Sequence, residues 1–495
     1  MLIAPTSIDP NGDRRLVRLR ALFVFSMLTG ACAPAAPQTH APPTASPKTP
    51  PAVPGAPALR YEIAASGDGS ELTVEASLGS GTGTHLAVAR DATPFVRNVE
   101  VAGARGWQPV EAAADSWPTP ECANGCRVRY RFGLRDAARA VDDLDTALTV
   151  GASFEAPPAT WLLAPDHPPE GTRYRFHVSA APPIAFESGV WPTAHQPGTY
   201  EGDASDLDNA PYSIFGPMHV RSLEPEHVVV AFESGAFAIG DAGIEQWVAT
   251  NAHAIGSFYE RFPVPHLLVI VGATAGTNLS EGKTLGNGGA AIFVRLGKNT
   301  DRQTLAANWV LAHEMVHTAL PGLEPEHHWL EEGLADYVEP LARAQAGIIG
   351  PERVWKELVE GLPQGLPDAH GRGLDHSPTW ASTYWGGALF CFLADLEIRK
   401  RTNNTRSLDD ALRGVNSAGG NIGEVWGLER VIQVGDHATG TSVLRELHDK
   451  MGDRPMKVNL DGIWKELGIA MSDGHVRFDD GAPSAQIRRA LTAAR

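Results

Sequence analysis

"LAHEMVHTALPGLEPEHHWLEEGLADYVE" spans Leu311–Glu339, and its opening places two histidines four residues apart, His313 and His317. On an α-helix such residues share one face, so two imidazoles can aim at one point. Glu314 is turned about 100° from His313. That leaves it beside a metal held by the histidines, where a general base acting on a zinc-activated water belongs. Zinc held by two histidines needs a third protein ligand and an open position. A third histidine at the HExxHxxGxxH spacing is excluded, because Leu320 and Leu323 stand at the relevant places.

A five-residue HExxH string also arises by chance, so the second half of the stretch decides. Glu324, Glu326, Glu331, Glu332 and Glu339 are the available carboxylates. Glu324 and Glu326 flank Pro325 in the connecting loop, too close to the first helix for a rigid returning ligand. Glu332 has Asp336 one turn later on the same face, where a carboxylate can accept the remaining N–H of a ligand imidazole and fix its tautomer. Glu331 has Ala335 in that place, and Glu339 lies two turns further on a different face. Glu332 is therefore the expected third ligand, with Asp336 supporting the site.

These motifs resemble the gluzincin metallopeptidases, in which HExxH is followed by a helix of the "WLEEGLADY" type that supplies a glutamate ligand. Downstream, "STYWGGALFCFLADLEIRKRTNNTRSLDDALR" is similar to the glycyl aminopeptidase family, through Asp395-Leu396-Glu397-Ile398-Arg399 and the S-L-D-D series after it. The resemblance covers about 306–415 well and the N-terminal half in outline. It implies a thermolysin-like catalytic domain, one zinc per chain and hydrolysis of peptide bonds. It also implies a role for Tyr384, which matches the tyrosine that donates to the oxyanion of the tetrahedral intermediate. A phenol with pKa near about 10 remains a donor at neutral pH, and such a donor contributes about 2.7–4 kcal/mol to lowering the barrier.

Three features depart from those relatives. Only 14 residues separate His317 from Glu332, Gly386 stands where the family has lysine, and no G-x-M-E-N string is present. "LGNGGAAIFVR" occupies the corresponding place, offering backbone groups and an edge strand to a peptide but no carboxylate. Aminopeptidase and endopeptidase activity both remain open. His327, His328, Asp375 and His376 are further candidates for contact with substrate.

The rest of the chain sets the context. Its 495 residues exceed one ordinary core, so two or three domains are expected. The fold class expected is α+β and multidomain, an all-β sandwich-like domain followed by the catalytic domain. A net charge of −17 argues against nucleic acid as a partner and leaves a peptide or protein substrate. Residues 1–31 read as a lipoprotein-type signal peptide: arginines, a short apolar run, then "LTGAC" ending at Cys32, the expected lipidation site. Residues 32–58, with nine prolines, read as an extended tether. The chain is thus expected to be exported and lipid-anchored to a bacterial membrane, facing the periplasm or the exterior.

Residues 59–186 alternate apolar and polar positions between turn residues, the signature of strands. They either brace the next domain or bind a substrate or surface. Cys122 and Cys126 are spaced for a small disulfide loop, and Cys391 lies in an apolar helical run. Residues 187–300 read as mixed α/β, with strands in "HVVVAFES" and "HLLVIVGA", a helix between them, and a short strand from Ala290 to Arg295. Residues 301–495 read as helical, over 303–320, 328–346, 351–361, 378–401, 407–416 and 440–452, with a capping box from Ser407 to Asp410. The alternative to an enzyme is a non-catalytic surface lipoprotein whose β-rich domain binds a polymer or protein partner.

Overall fold

The computed structural model describes residues 58–494, apart from residues 166, 195, 226, 368–370 and 377–378. The signal segment, Cys32 and the tether lie outside the described residues, except for Ala58, which opens the first strand.

In the β-rich half the alternation becomes a buried sheet face. Leu59, Tyr61 and Ile63, then Leu72, Val74 and Ala76, then Val128, Tyr130 and Phe132 are all buried, as period-two side chains on one side of a sheet must be. They belong to a seven-stranded sheet whose order runs Thr199–Asp203, Arg173–Ser179, Ala58–Ala65, Leu72–Ser80, Asn124–Phe132, Val96–Gly103, Gly106–Pro109. Pairing is antiparallel except between Ala58–Ala65 and Arg173–Ser179. Three- and four-stranded sheets complete this half, and Phe154 and Phe215 of the latter share a core with Trp161 and Phe176. Thr199–Asp203 and Ser213–Gly216 lie beyond residue 186 and still pair into these sheets. A disulfide joins Cys122 to Cys126.

A five-stranded mixed sheet follows, in the order His219–Leu223, Val228–Phe232, Leu267–Thr274, Ala291–Gly297, Leu279–Leu285. Val228–Phe232 and Leu267–Thr274 are parallel, which requires a crossover, and the helix Asp241–Tyr259 supplies it. The strand expected from Ala290 to Arg295 is Ala291–Gly297, but it has partners on both sides and offers no free edge. On that side of the sheet the edge strand is Leu279–Leu285. Its "LSEGKTL" has too little apolar alternation to read as a strand, and sheet pairing makes it one. The glycines of "LGNGG" form the turn, and their backbone is already engaged: Asn287 N donates to Ile422 O at 2.9 Å and Gly288 N to Gly423 O at 3.0 Å.

Helices expected near 328–346, 351–361, 378–401, 407–416 and 440–452 are present as His328–Gln345, Pro351–Gly361, Gly387–Arg401, Leu408–Ser417 and Val443–Met451. Ser407 and Asp410 form the capping box. The segment 303–320 is instead two short helices, Arg302–Ala307 and Val310–His317, because Asn308 is extended and its side chain accepts from Val310 N at 3.0 Å. Trp309, at the break between them, is 43% exposed. Helices Leu428–Thr439 and Leu460–Leu467 were not apparent in the sequence pattern.

The described residues belong to one compact unit. Lys283 on the edge strand donates to Asp145 Oδ2 of the β-rich half at 2.7 Å, and His266 reaches Ser188 O at 2.9 Å. The first half thus buttresses the strand that borders the cleft.

Candidate metal centre

Three elements meet at the cleft: the histidine helix Val310–His317, the glutamate helix His328–Gln345, and the tyrosine segment Ser382–Gly386 that leads into Gly387–Arg401. Leu311, Ala312, Met315 and Val316 are buried and fix the roll of the histidine helix. His313 and His317 then face the glutamate helix. Nε2 of His313 lies 3.3 Å, and Nε2 of His317 3.7 Å, from Glu332 Oε2. The ligand atoms of all three residues lie within 4.8 Å of one another.

These separations suit zinc. Tetrahedral ligands at about 2.0–2.1 Å from the ion stand about 3.3 Å apart, close to the spacings found. Burial disfavours a charged His313, yet Asp336 and Glu332 outweigh it and raise this imidazole's pKa well above the ordinary value. Burial also pushes Glu332 up, but His313, His317 and His328 outweigh it and hold the carboxyl at about 2. His313 and Glu332 are thus electrostatically coupled across the cleft.

Asp336 Oδ1 stands 3.2 Å from His313 Nδ1, as the sequence spacing implies. The other glutamates are engaged elsewhere. Glu331 accepts from Leu323 N at 2.9 Å, and Glu339 is buried against Arg343 at 2.6 Å.

Glu314 lines the same cleft, of about 410 Å³, together with Thr284, Tyr384 and the three ligand residues. Thr284 Oγ1 donates to Glu314 Oε2 at 2.6 Å and fixes the carboxylate. Gly282, two residues earlier, permits this approach: a Cβ there would stand 2.8 Å from Glu314 Oε1 and 2.7 Å from Val310 Cγ1. Neither residue was singled out from the sequence. Their strand was not recognised, and their effect depends on its lying against the histidine helix.

Tyr384 sits in a π-helical turn, Ser382–Gly386, a rare local widening that re-aims a side chain. Its side chain lines the same cleft as Glu332. Burial, then the negative charge of Glu332 and Asp336, raises its pKa far above the ordinary value, so it stays a protonated donor. Its ring stacks on Trp380, with centroids 5.5 Å apart. Gly386, at the family's lysine position, is buried and brings no charge.

His328 contacts Glu331 and Glu332, so it borders the ligand shell. His376 pairs with Asp453 on the surface. His327 and Asp375 turn to each other and to His448, away from the three ligands. Cys391 is a free, buried thiol whose pKa burial pushes far up, an inert packing residue.

The fold, with an N-terminal β-sheet region ahead of a helical region that carries the HExxH helix and the candidate ligand set, is similar to that of a solved aminopeptidase N family structure. An aminopeptidase N family protein from Idiomarina loihiensis is similar in structure, with a TM-score of 0.62 at 15% identity, over 83% of this chain and 78% of that one. An M1 zinc metallopeptidase from Deinococcus radiodurans aligns with a TM-score of 0.48 at 15% identity, over 81% of this chain and 94% of that one. No protein-family model matches the sequence, and no curated protein is similar to it in sequence.

Proposed function

We propose that this chain is a zinc-dependent peptidase of the aminopeptidase type, holding one zinc at this centre through His313, His317 and Glu332. The observation that carries it is the convergence of three ligand atoms at zinc spacing, with Glu314 and Tyr384 lining the same cleft. Bound there, zinc supplies Lewis acidity, polarising a carbonyl and bringing the pKa of water to about 7. Glu314, held by Thr284, takes a proton from the attacking water and returns it to the leaving amine. Tyr384 donates to the developing oxyanion, and Asp336 beside Nδ1 of His313 favours the tautomer that ligates through Nε2.

A library of peptides with free and blocked N-termini, presented to zinc-loaded protein, tests this. Cleavage confined to free N-termini is the expected result. Glu314→Gln is expected to keep its metal while kcat falls about 10²–10⁴-fold; equal turnover by that variant removes Glu314 from the role. Absence of any cleavage, with polymer or protein binding by the wild-type chain, favours the non-catalytic alternative.

The proposal extends to export and a lipid anchor on Cys32. The Cys122–Cys126 disulfide supports an oxidising compartment, and among the described residues no helix is long and apolar enough to cross a membrane. Lipid labelling that persists in Cys32→Ser would remove the anchor from this account.

A further inference from the structure

A second set of metal-type ligands lies outside the catalytic cluster and shares no residue with it. His327 closes the 3-10 turn Pro325–His327 before the glutamate helix, Asp375 sits in the turn Leu374–His376, and His448 lies in the helix Val443–Met451. Three segments distant in sequence thus deliver two imidazoles and one carboxylate to one place. His327 Nδ1 is 3.0 Å from Asp375 Oδ1, and His448 Nε2 is 3.0 Å from Asp375 Oδ2. Ligand atoms of all three lie within 4.8 Å of one another. Their side chains are 17%, 12% and 20% exposed, enough for an ion to enter from solvent.

The surroundings hold these ligands in place. Trp329 Nε1 donates to Asp375 Oδ1 at 2.8 Å, the kind of outer hydrogen bond that orients a ligating carboxylate. Its indole stacks on His448, with centroids 6.4 Å apart and planes at 12°. Gly452 lets the two partners meet: a Cβ there would stand 2.7 Å from Asp375 Oδ2 and 2.8 Å from His448 Nε2. Asp375 N also donates to Gly452 O at 3.0 Å.

The geometry points to a second metal site, in which His327 Nδ1, His448 Nε2 and the Asp375 carboxylate bind one divalent transition ion of the zinc class, with water completing the shell. Imidazole with carboxylate suits such an ion. Bound there, it ties the start of the glutamate helix to Val443–Met451 and to the turn Leu374–His376. Its role is structural, and it is independent of the catalytic proposal.

The test is zinc content of the full chain after equilibration and desalting, with cobalt absorption as a second signal. Wild type is expected to hold two equivalents and His317→Ala one. Asp375→Asn keeps an acceptor for Trp329 and the size of the side chain, and it is expected to hold one equivalent, as is His448→Gln. Zinc is expected to raise the melting temperature of His317→Ala but not of the His317→Ala/Asp375→Asn double variant. A wild type with one equivalent, lost in His317→Ala and kept in Asp375→Asn, overturns the second site and leaves Asp375 as a hydrogen-bond hub. One equivalent kept in His317→Ala and lost in Asp375→Asn would instead sustain this site while the catalytic zinc fails.

Discussion

Gly333 of the glutamate helix and Gly387 of the tyrosine helix meet backbone to backbone. A Cβ on Gly387 would overlap the carbonyl oxygen of Trp329, and one on Gly333 would overlap the backbone of Gly387. This contact seats the segment that carries Tyr384 against the helix that carries Glu332. In an exposed helix, glycine to alanine is stabilising by roughly 0.5–1 kcal/mol. Here Gly387→Ala is expected to destabilise by about 1–3 kcal/mol through overpacking and to lower kcat. A melting temperature at or above that of the wild type would show that the helices have room to spare.

Thr284 acts through Glu314, by its 2.6 Å hydrogen bond. Thr284→Val keeps the shape and removes the donor, so kcat is expected to fall about tenfold or more, in line with loss of a hydrogen bond to a charged group. Thr284→Ser is expected to restore it. Activity of Thr284→Val equal to that of the wild type would leave Thr284 a packing residue.

Tyr384→Phe leaves the ring stacked on Trp380 and deletes only the hydroxyl. Steady-state kinetics are expected to show kcat reduced about 10²–10³-fold with KM little changed, the pattern of an interaction made in the transition state. An effect on KM alone would place the phenol in substrate binding.

Asp336→Ala removes the carboxylate 3.2 Å from His313 Nδ1. Zinc affinity is expected to drop about 10–100-fold, measured by competition with a chelator of known affinity. Affinity equal to that of the wild type would make Asp336 dispensable to the site.

Glu187 lies at the junction of the two halves. Burial raises its carboxyl and the Tyr200 hydroxyl, 3.4 Å away, only partly offsets this, leaving it at about 7. The folded pKa exceeds the unfolded one, so the associated stability is full below the unfolded carboxyl pKa and is lost as pH rises through about 7. Glu187→Gln is therefore expected to melt at a higher temperature than the wild type at pH 8 and to differ little at pH 4. Parallel melting curves across that range would show that Glu187 ionises without cost.

The centre itself was legible in the sequence because its spacing is local. His313, Glu314 and His317 occupy one helical turn and a half, and Glu332 with Asp336 one turn of the next, so helical periodicity alone assigns their relative faces. The buried strands and most of the helices were legible for the same reason, each having a period that its own residues display.

Tertiary structure decided what depends on contact between distant segments. Leu279–Leu285 is a strand only because Ala291–Gly297 pairs with it, and Thr284 and Gly282 act on Glu314 only because that strand lies against the histidine helix. The short connection between His317 and Glu332 is held by a partner about a hundred residues away, Gly322 N donating to Glu424 O at 2.9 Å. His448 joins His327 and Asp375 across similar distances in the chain. No period marks such residues, because their meeting is set by the packing of whole elements rather than by the order of neighbouring side chains.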